Sequence, residues 1–120
     1  MSYTDKIKDV IESSDVALFM KGTPSFVMCG NSDRALQALR RAGAPVTAVD
    51  ILPDPQIRQE LASISGWPTI PQVFVKGELV GGADIVEELE QSGEPAETLR
   101  EKLGDDYAAA RDETTVALAG

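Results

Sequence analysis

Five consecutive apolar residues, Val16-Ala17-Leu18-Phe19-Met20, constrain this chain more than any other stretch. An unbroken apolar run of this length reads as a strand buried on both faces, as parallel strands are. Such a strand calls for helices on both sides of its sheet, and it is far too short to cross a bilayer. The flanking pattern supplies those helices. Thr4-Asp5 caps a first helix with Tyr3, Ile7, Val10 and Ile11 at helical spacing, and Ser13-Ser14-Asp15 ends it. A second helix is expected from about Asn31 to Ala42, with Ala35, Leu36 and Leu39 on one face and Gly43 placed to stop it.

Val46 to Asp50 reads as a second apolar strand. Asp54-Pro55 then gives an N-cap followed by proline at the first helical position, with Ile57, Leu61 and Ile64 behind it and Gly66 closing the helix. Trp67-Pro68-Thr69-Ile70-Pro71 is a rigid, proline-bracketed connection. Beyond it, Gln72–Lys76 and Leu79–Gly81 predict a β-hairpin turning at Gly77-Glu78. Asp84 is expected to cap a helix carrying Ile85, Val86 and Leu89. Glu94-Pro95 opens a last one with Ala96, Leu99 and Leu103. Two strand–helix crossovers and a terminal hairpin assemble most economically into an α/β domain, a four-stranded mixed sheet with helices on both faces. That domain is expected to span 1–104. The acidic stretch 105–120 loses core periodicity and reads as a loose tail, with a frayed helix around Ala108-Ala109-Ala110.

The chain has one cysteine and no histidine. Cys29 ends the loop Lys21–Cys29, punctuated by Gly22 and Pro24, and precedes the second helix, where unpaired N–H groups and the positive end of the helix dipole favour a thiolate. Lys21 nearby adds to that bias. A single sulfur closes no internal disulfide and fills no metal shell, so any chemistry it has borrows a second thiol from outside. Without histidine there is no Cys-His or Ser-His pair and no zinc set of cysteine and histidine. The net charge of −9 leaves no basic stripe for nucleic acid or an anionic membrane. The N-terminus lacks a signal-peptide layout, which makes a cytoplasmic, reducing compartment the default expectation.

Four motifs then point to a family: Met20-Lys21-Gly22-Thr23-Pro24, Cys29-Gly30-Asn31-Ser32, Trp67-Pro68-Thr69-Ile70-Pro71-Gln72-Val73-Phe74 and Gly81-Gly82-Ala83-Asp84-Ile85. Over residues 3–103 the chain resembles the monothiol glutaredoxins of the CGFS class, which have the thioredoxin-like fold. The resemblance implies glutathione binding and a [2Fe–2S] cluster held between two subunits, in iron–sulfur cluster storage and transfer. A [2Fe–2S] centre takes four ligands, and each chain offers one thiol. Two chains and two glutathione molecules would complete the set, so the cluster-loaded form is expected to be a homodimer. Its partners would be iron–sulfur acceptor or regulatory proteins.

Residue by residue, the resemblance makes Cys29 the iron ligand or nucleophile. Lys21, helped by Arg58, would pair with the glycine carboxylate of glutathione. Thr69 and Ile70 would offer backbone to the tripeptide, and Pro71 would be cis. Gly82, Ala83 and Asp84 would receive the γ-glutamyl end, the helix N-terminus suiting its carboxylate and Asp84 its ammonium. Two positions depart from the family. Its phenylalanine after Cys-Gly is here Asn31, a polar residue that implies a more labile cluster or altered dimer packing. A frequent second cysteine is here Ala83, which leaves external thiols as the sole redox partners. The resemblance puts the carrier reading ahead of enzymatic activity, since members of this class are generally poor oxidoreductases. The alternative is a glutathione-dependent oxidoreductase that removes glutathione from mixed disulfides, with Cys29 as nucleophile.

Overall fold

The computed structural model describes residues 2–43, 45–92, 113–116 and 118. Helix α1 (Tyr3–Ser13) is followed by β1 (Val16–Met20), a small hairpin of β2 (Gly22–Thr23) and β3 (Phe26–Val27), and α2 (Gly30–Arg41). Then come β4 (Val46–Asp50), α3 (Pro55–Ser65), β5 (Gln72–Val75), β6 (Glu78–Gly81), α4 (Ala83–Ser92) and β7 (Glu113–Val116). The main sheet runs β6-β5-β1-β4-β7. β1 pairs with β4 in parallel and with β5 antiparallel, so the expected mixed sheet is present with β1 at its centre.

Alternation along β1 builds two cores at once, because successive side chains leave a strand on opposite faces. Val16, Leu18 and Met20 pack with Leu36 and Leu39 of α2 and Val86 of α4. Ala17 and Phe19 pack on the other side with Ile7 of α1, Ile57 and Leu61 of α3, and Phe74. Phe19 meets Phe74 edge-on, with ring centroids 5.7 Å apart. All five β1 residues are buried, which is why the run carries no polar alternation. Each fully buried large aliphatic contributes about 1.5–3 kcal/mol.

Five details differ from the sequence expectation. The sheet has five strands rather than four: Glu113–Val116, placed by sequence in the acidic tail, pair in parallel with β4. Thr114, Thr115 and Val116 are β-branched and suit a strand, a local preference that the surrounding acidic composition hid. Leu118 follows into the α1/α3 core, and its carbonyl accepts from Lys6 Nζ at 2.9 Å. Second, α1 is capped by Ser2, whose hydroxyl accepts from Asp5 N–H at 3.2 Å, not by Thr4-Asp5. Third, the β5–β6 turn is Lys76-Gly77, because Val75 pairs with Glu78 and both turn residues have positive φ, 49° and 84°. That is the geometry a two-residue hairpin turn requires. Fourth, Lys21–Met28 is a miniature hairpin rather than an open loop. Fifth, Val86 N–H bonds Gly82 C=O, so Gly82 occupies the N-cap of α4 and Asp84 lies inside its first turn. The helix expected from Glu94 and the frayed one around Ala108 lie outside the described residues.

Candidate functional site

The C-terminal end of β1 delivers the chain into the thiol loop, and three hydrogen bonds hold that loop shut. Met28 N–H donates to Lys21 C=O at 2.9 Å, Gly22 N–H to Asp50 Oδ1 at 3.0 Å, and Lys21 N–H to Ser32 Oγ at 3.0 Å. Gly22 has φ of +98°, and a Cβ there would stand 2.4 Å from the Phe26 carbonyl oxygen. Only glycine fits this crossing of the hairpin over its own base. The hairpin leaves Phe26 and Met28 largely in solvent, 71% and 57% exposed, directly ahead of the sulfur.

Cys29 is the N-cap residue of α2, in extended conformation, and it is partly exposed. Its thiol makes no capping hydrogen bond, but the free N–H groups of the first turn face it and favour the charged form. The Cys29 pKa is lowered from the ordinary thiol range, first by the Ser32 backbone N–H. Partial burial opposes this, while the Asn31 N–H, the Ser32 hydroxyl and the charge of Lys21 add to it. Ser32 is fully buried. It therefore serves twice, stabilising the thiolate and tying α2 to the start of the loop. In the sequence Ser32 stands out only as part of a motif; its two contacts come from folding β1 onto α2.

Beside Asn31 runs an open groove of about 390 Å³. One wall is Trp67, Thr69, Ile70 and Pro71; the other is Gly82, Ala83, Asp84 and Ile85 at the start of α4. The Ile70–Pro71 peptide is cis, as the resemblance implied. The bend before it is pinned by Gln72, whose buried amide nitrogen donates to Trp67 C=O at 2.7 Å and Thr69 C=O at 3.2 Å. Ile70 is buried in the α1/α3 core, so only its backbone is on offer to the groove. A Cβ on Gly82 would stand 3.3 Å from Pro71 C=O, so the two walls approach as closely as a glycine allows.

Of the eight residues that the resemblance places around glutathione, six line this groove: Thr69, Ile70, Pro71, Gly82, Ala83 and Asp84. Lys21 stands near Cys29 instead, close enough to lower the thiol pKa. Arg58 is an exposed residue of α3 and is not among the groove's lining residues. The cation at the rim is one that sequence reading missed, Arg34 of α2. Its Nη2 donates to Asp84 Oδ1 at 2.7 Å and to Glu87, its Nε to Glu87 Oε1 at 2.9 Å, and its Nη1 to Asn31 Oδ1 at 3.1 Å. These contacts push the Arg34 pKa up and pull the Glu87 carboxyl down. A thiol poised to ionise thus stands two residues before Asn31, which lines an open groove together with Asp84 and the start of α4, and the Arg34 guanidinium bonds both Asn31 and Asp84.

Among the described residues no helix is long and apolar enough to cross a membrane. The glutaredoxin family profile matches residues 16–80. Monothiol glutaredoxin-S11 of Oryza sativa is 51% identical over 100 residues, 83% of this chain but 20% of that one, so this chain spans about a fifth of the rice relative. Glutaredoxin 4 of Haemophilus ducreyi is 46% identical over 101 residues, 84% of this chain and 94% of that one. In three dimensions, the solution structure of reduced poplar apo GrxS14 superposes with a TM-score of 0.75 at 39% identity, covering 85% of this chain and 94% of that one. With one cysteine set where a helix begins, a family profile over more than half its length and a relative named a monothiol glutaredoxin over the same span, this chain belongs to the glutaredoxin family and is of the monothiol kind.

Proposed function

We propose that this protein binds glutathione in the groove and uses Cys29 to hold a [2Fe–2S] cluster as cargo, shared with a second subunit, in cluster storage and delivery to acceptor or regulatory proteins. The observation that carries the reading is a single thiolate-favouring cysteine, with Lys21 near it, standing two residues before Asn31, which lines a groove that Asp84 and the start of α4 also line. Lys21 serves the glycine carboxylate, with Arg58 available from α3. The first turn of α4 serves the γ-glutamyl carboxylate and Asp84 its ammonium. Among the described residues no three histidine, cysteine or acidic side chains converge on one point. Cluster ligands beyond Cys29 therefore come from a second chain and from bound thiols. A reducing cytoplasm suits both the free thiol and the ligand.

Anaerobic reconstitution with iron, sulfide and glutathione tests the reading. Cluster absorbance is expected in a dimer of the wild type and lost in Cys29→Ser. Equal yields in both proteins overturn it. The lowered Cys29 pKa and its partial exposure also favour a second reading, attack on a protein–glutathione mixed disulfide. In that reaction the Cys29 thiolate takes up glutathione, the substrate leaves as its thiolate, and a second glutathione regenerates the enzyme as glutathione disulfide. Turnover of a glutathionylated peptide by the wild type, with none by Cys29→Ser, is its signature.

A further inference from the structure

We infer that Arg34 is a specificity-determining residue of the groove, supplying the cation that lets a ligand carboxylate lie among the acidic side chains at the start of α4. The inference rests on the glutathione reading and deepens it. The first two turns of α4 carry Asp84, Glu87 and Glu88, on a chain of net charge −9. The partial positive charge of a helix N-terminus is about half an elementary charge, too little to offset three carboxylates. A γ-glutamyl group brings an α-carboxylate as well as an ammonium to this end, and the carboxylate would meet a repelling field. Arg34 brings a full positive charge into that field. Its guanidinium spans from Asn31 to Asp84 and Glu87, reaching across from α2 to α4 at the groove rim.

The donor count leaves room for a ligand. A guanidinium has five N–H groups. Four are engaged with Asn31, Asp84 and Glu87, and the second hydrogen on Nη1 has no partner among the described residues. Among the described residues Asp84 is engaged through Oδ1 only, and its side chain is 89% exposed, which leaves Oδ2 for an ammonium. Carboxylate on Arg34 and ammonium on Asp84 would set the two charges of a free α-amino acid group against their opposites. Asn31 gains a role in the same arrangement, since it lines the groove and its Oδ1 accepts from Nη1, tying the guanidinium to a lining residue.

The test is isothermal titration with two unreactive probes: S-methylglutathione, and its analogue lacking only the γ-glutamyl α-carboxylate, S-methyl-(4-aminobutyryl)cysteinylglycine. Wild type is expected to prefer the first by about fivefold, the order of one half-exposed charge pair. Arg34→Gln and Arg34→Ala bring the ratio close to one, mainly by weakening S-methylglutathione, and Arg34→Lys restores most of it. A purely structural clamp between α2 and α4 would weaken both probes alike. That outcome, or a wild-type ratio retained in Arg34→Gln, overturns the assignment and leaves glutathione binding standing. If wild type binds neither probe, the glutathione reading falls and the role of Arg34 with it.

Discussion

Replacing Gly22 by alanine tests how tightly the thiol loop is specified. At φ of +98° an L-residue is strained, and its Cβ would lie 2.4 Å from Phe26 O and 2.8 Å from Met28 N, both backbone atoms that no rotamer change can move. The left-handed conformation costs about 1–2 kcal/mol. Forcing an extra carbon into a packed site adds about 1–3 kcal/mol. The stiffer unfolded chain returns roughly 0.4–1 kcal/mol. The net loss is about 1–4.5 kcal/mol, and a mid-range loss lowers the thermal midpoint of a chain this size by ~10 °C. If the loop yields first, the Lys21–Met28 hydrogen bond opens and Cys29 leaves its N-cap position. Equilibrium urea unfolding and the pH profile of iodoacetamide alkylation read both consequences. Gly30→Ala is the control, since a Cβ there meets nothing within 4 Å. Wild-type stability together with a wild-type thiol titration in Gly22→Ala would refute the reasoning.

The alkylation rate of the wild type should rise with pH through a midpoint below that of a free thiol, because the Ser32 N–H holds the pKa down. The sign for stability follows: a depressed folded pKa contributes fully above the unfolded pKa and is lost as pH falls through the folded one, which urea midpoints of wild type and Cys29→Ser across that window would resolve. Ser32→Ala should cost about 1–2 kcal/mol in urea unfolding by stranding the Lys21 N–H, while raising the thiol midpoint only slightly, since the backbone N–H remains. Truncation after residue 112 should cost at least about 1.5–3 kcal/mol through loss of Leu118 burial and should bare the β4 edge, giving a lower urea midpoint and concentration-dependent light scattering.

Much of the frame was legible because its signals are local. Val16–Met20 announces a doubly covered strand, and Asp54-Pro55 announces a helix start; Asp54 does accept from Gln56 N–H at 2.9 Å. Cys29 could be placed at a helix start because an apolar strand and a periodic helix bracket it. The groove was reached through the resemblance, which named six of its lining residues. Features made by long-range contact were not readable. Arg34 and Asp84 are 50 residues apart, and nothing local distinguishes Arg34 from Arg58 as the cation that reaches the rim. Gln72 reads as an ordinary strand residue until the cis-proline bend folds its carbonyls onto the amide. The β-branched run Thr114-Thr115-Val116 is too short to announce β7 from within an acidic stretch, and only its parallel pairing with β4 makes it a strand.

A single strand serves as the common wall of both hydrophobic layers, with consequences for how the molecule comes apart. Loosening α1 and α3 strips one side of β1, and loosening α2 and α4 strips the other, so neither layer can melt while its opposite stays intact. The domain should therefore open as one cooperative unit, with amide exchange slowest along Val16–Met20. Since Met20 leads straight into the hairpin that precedes Cys29, the reactive end is anchored in the last part of the protein to lose its order.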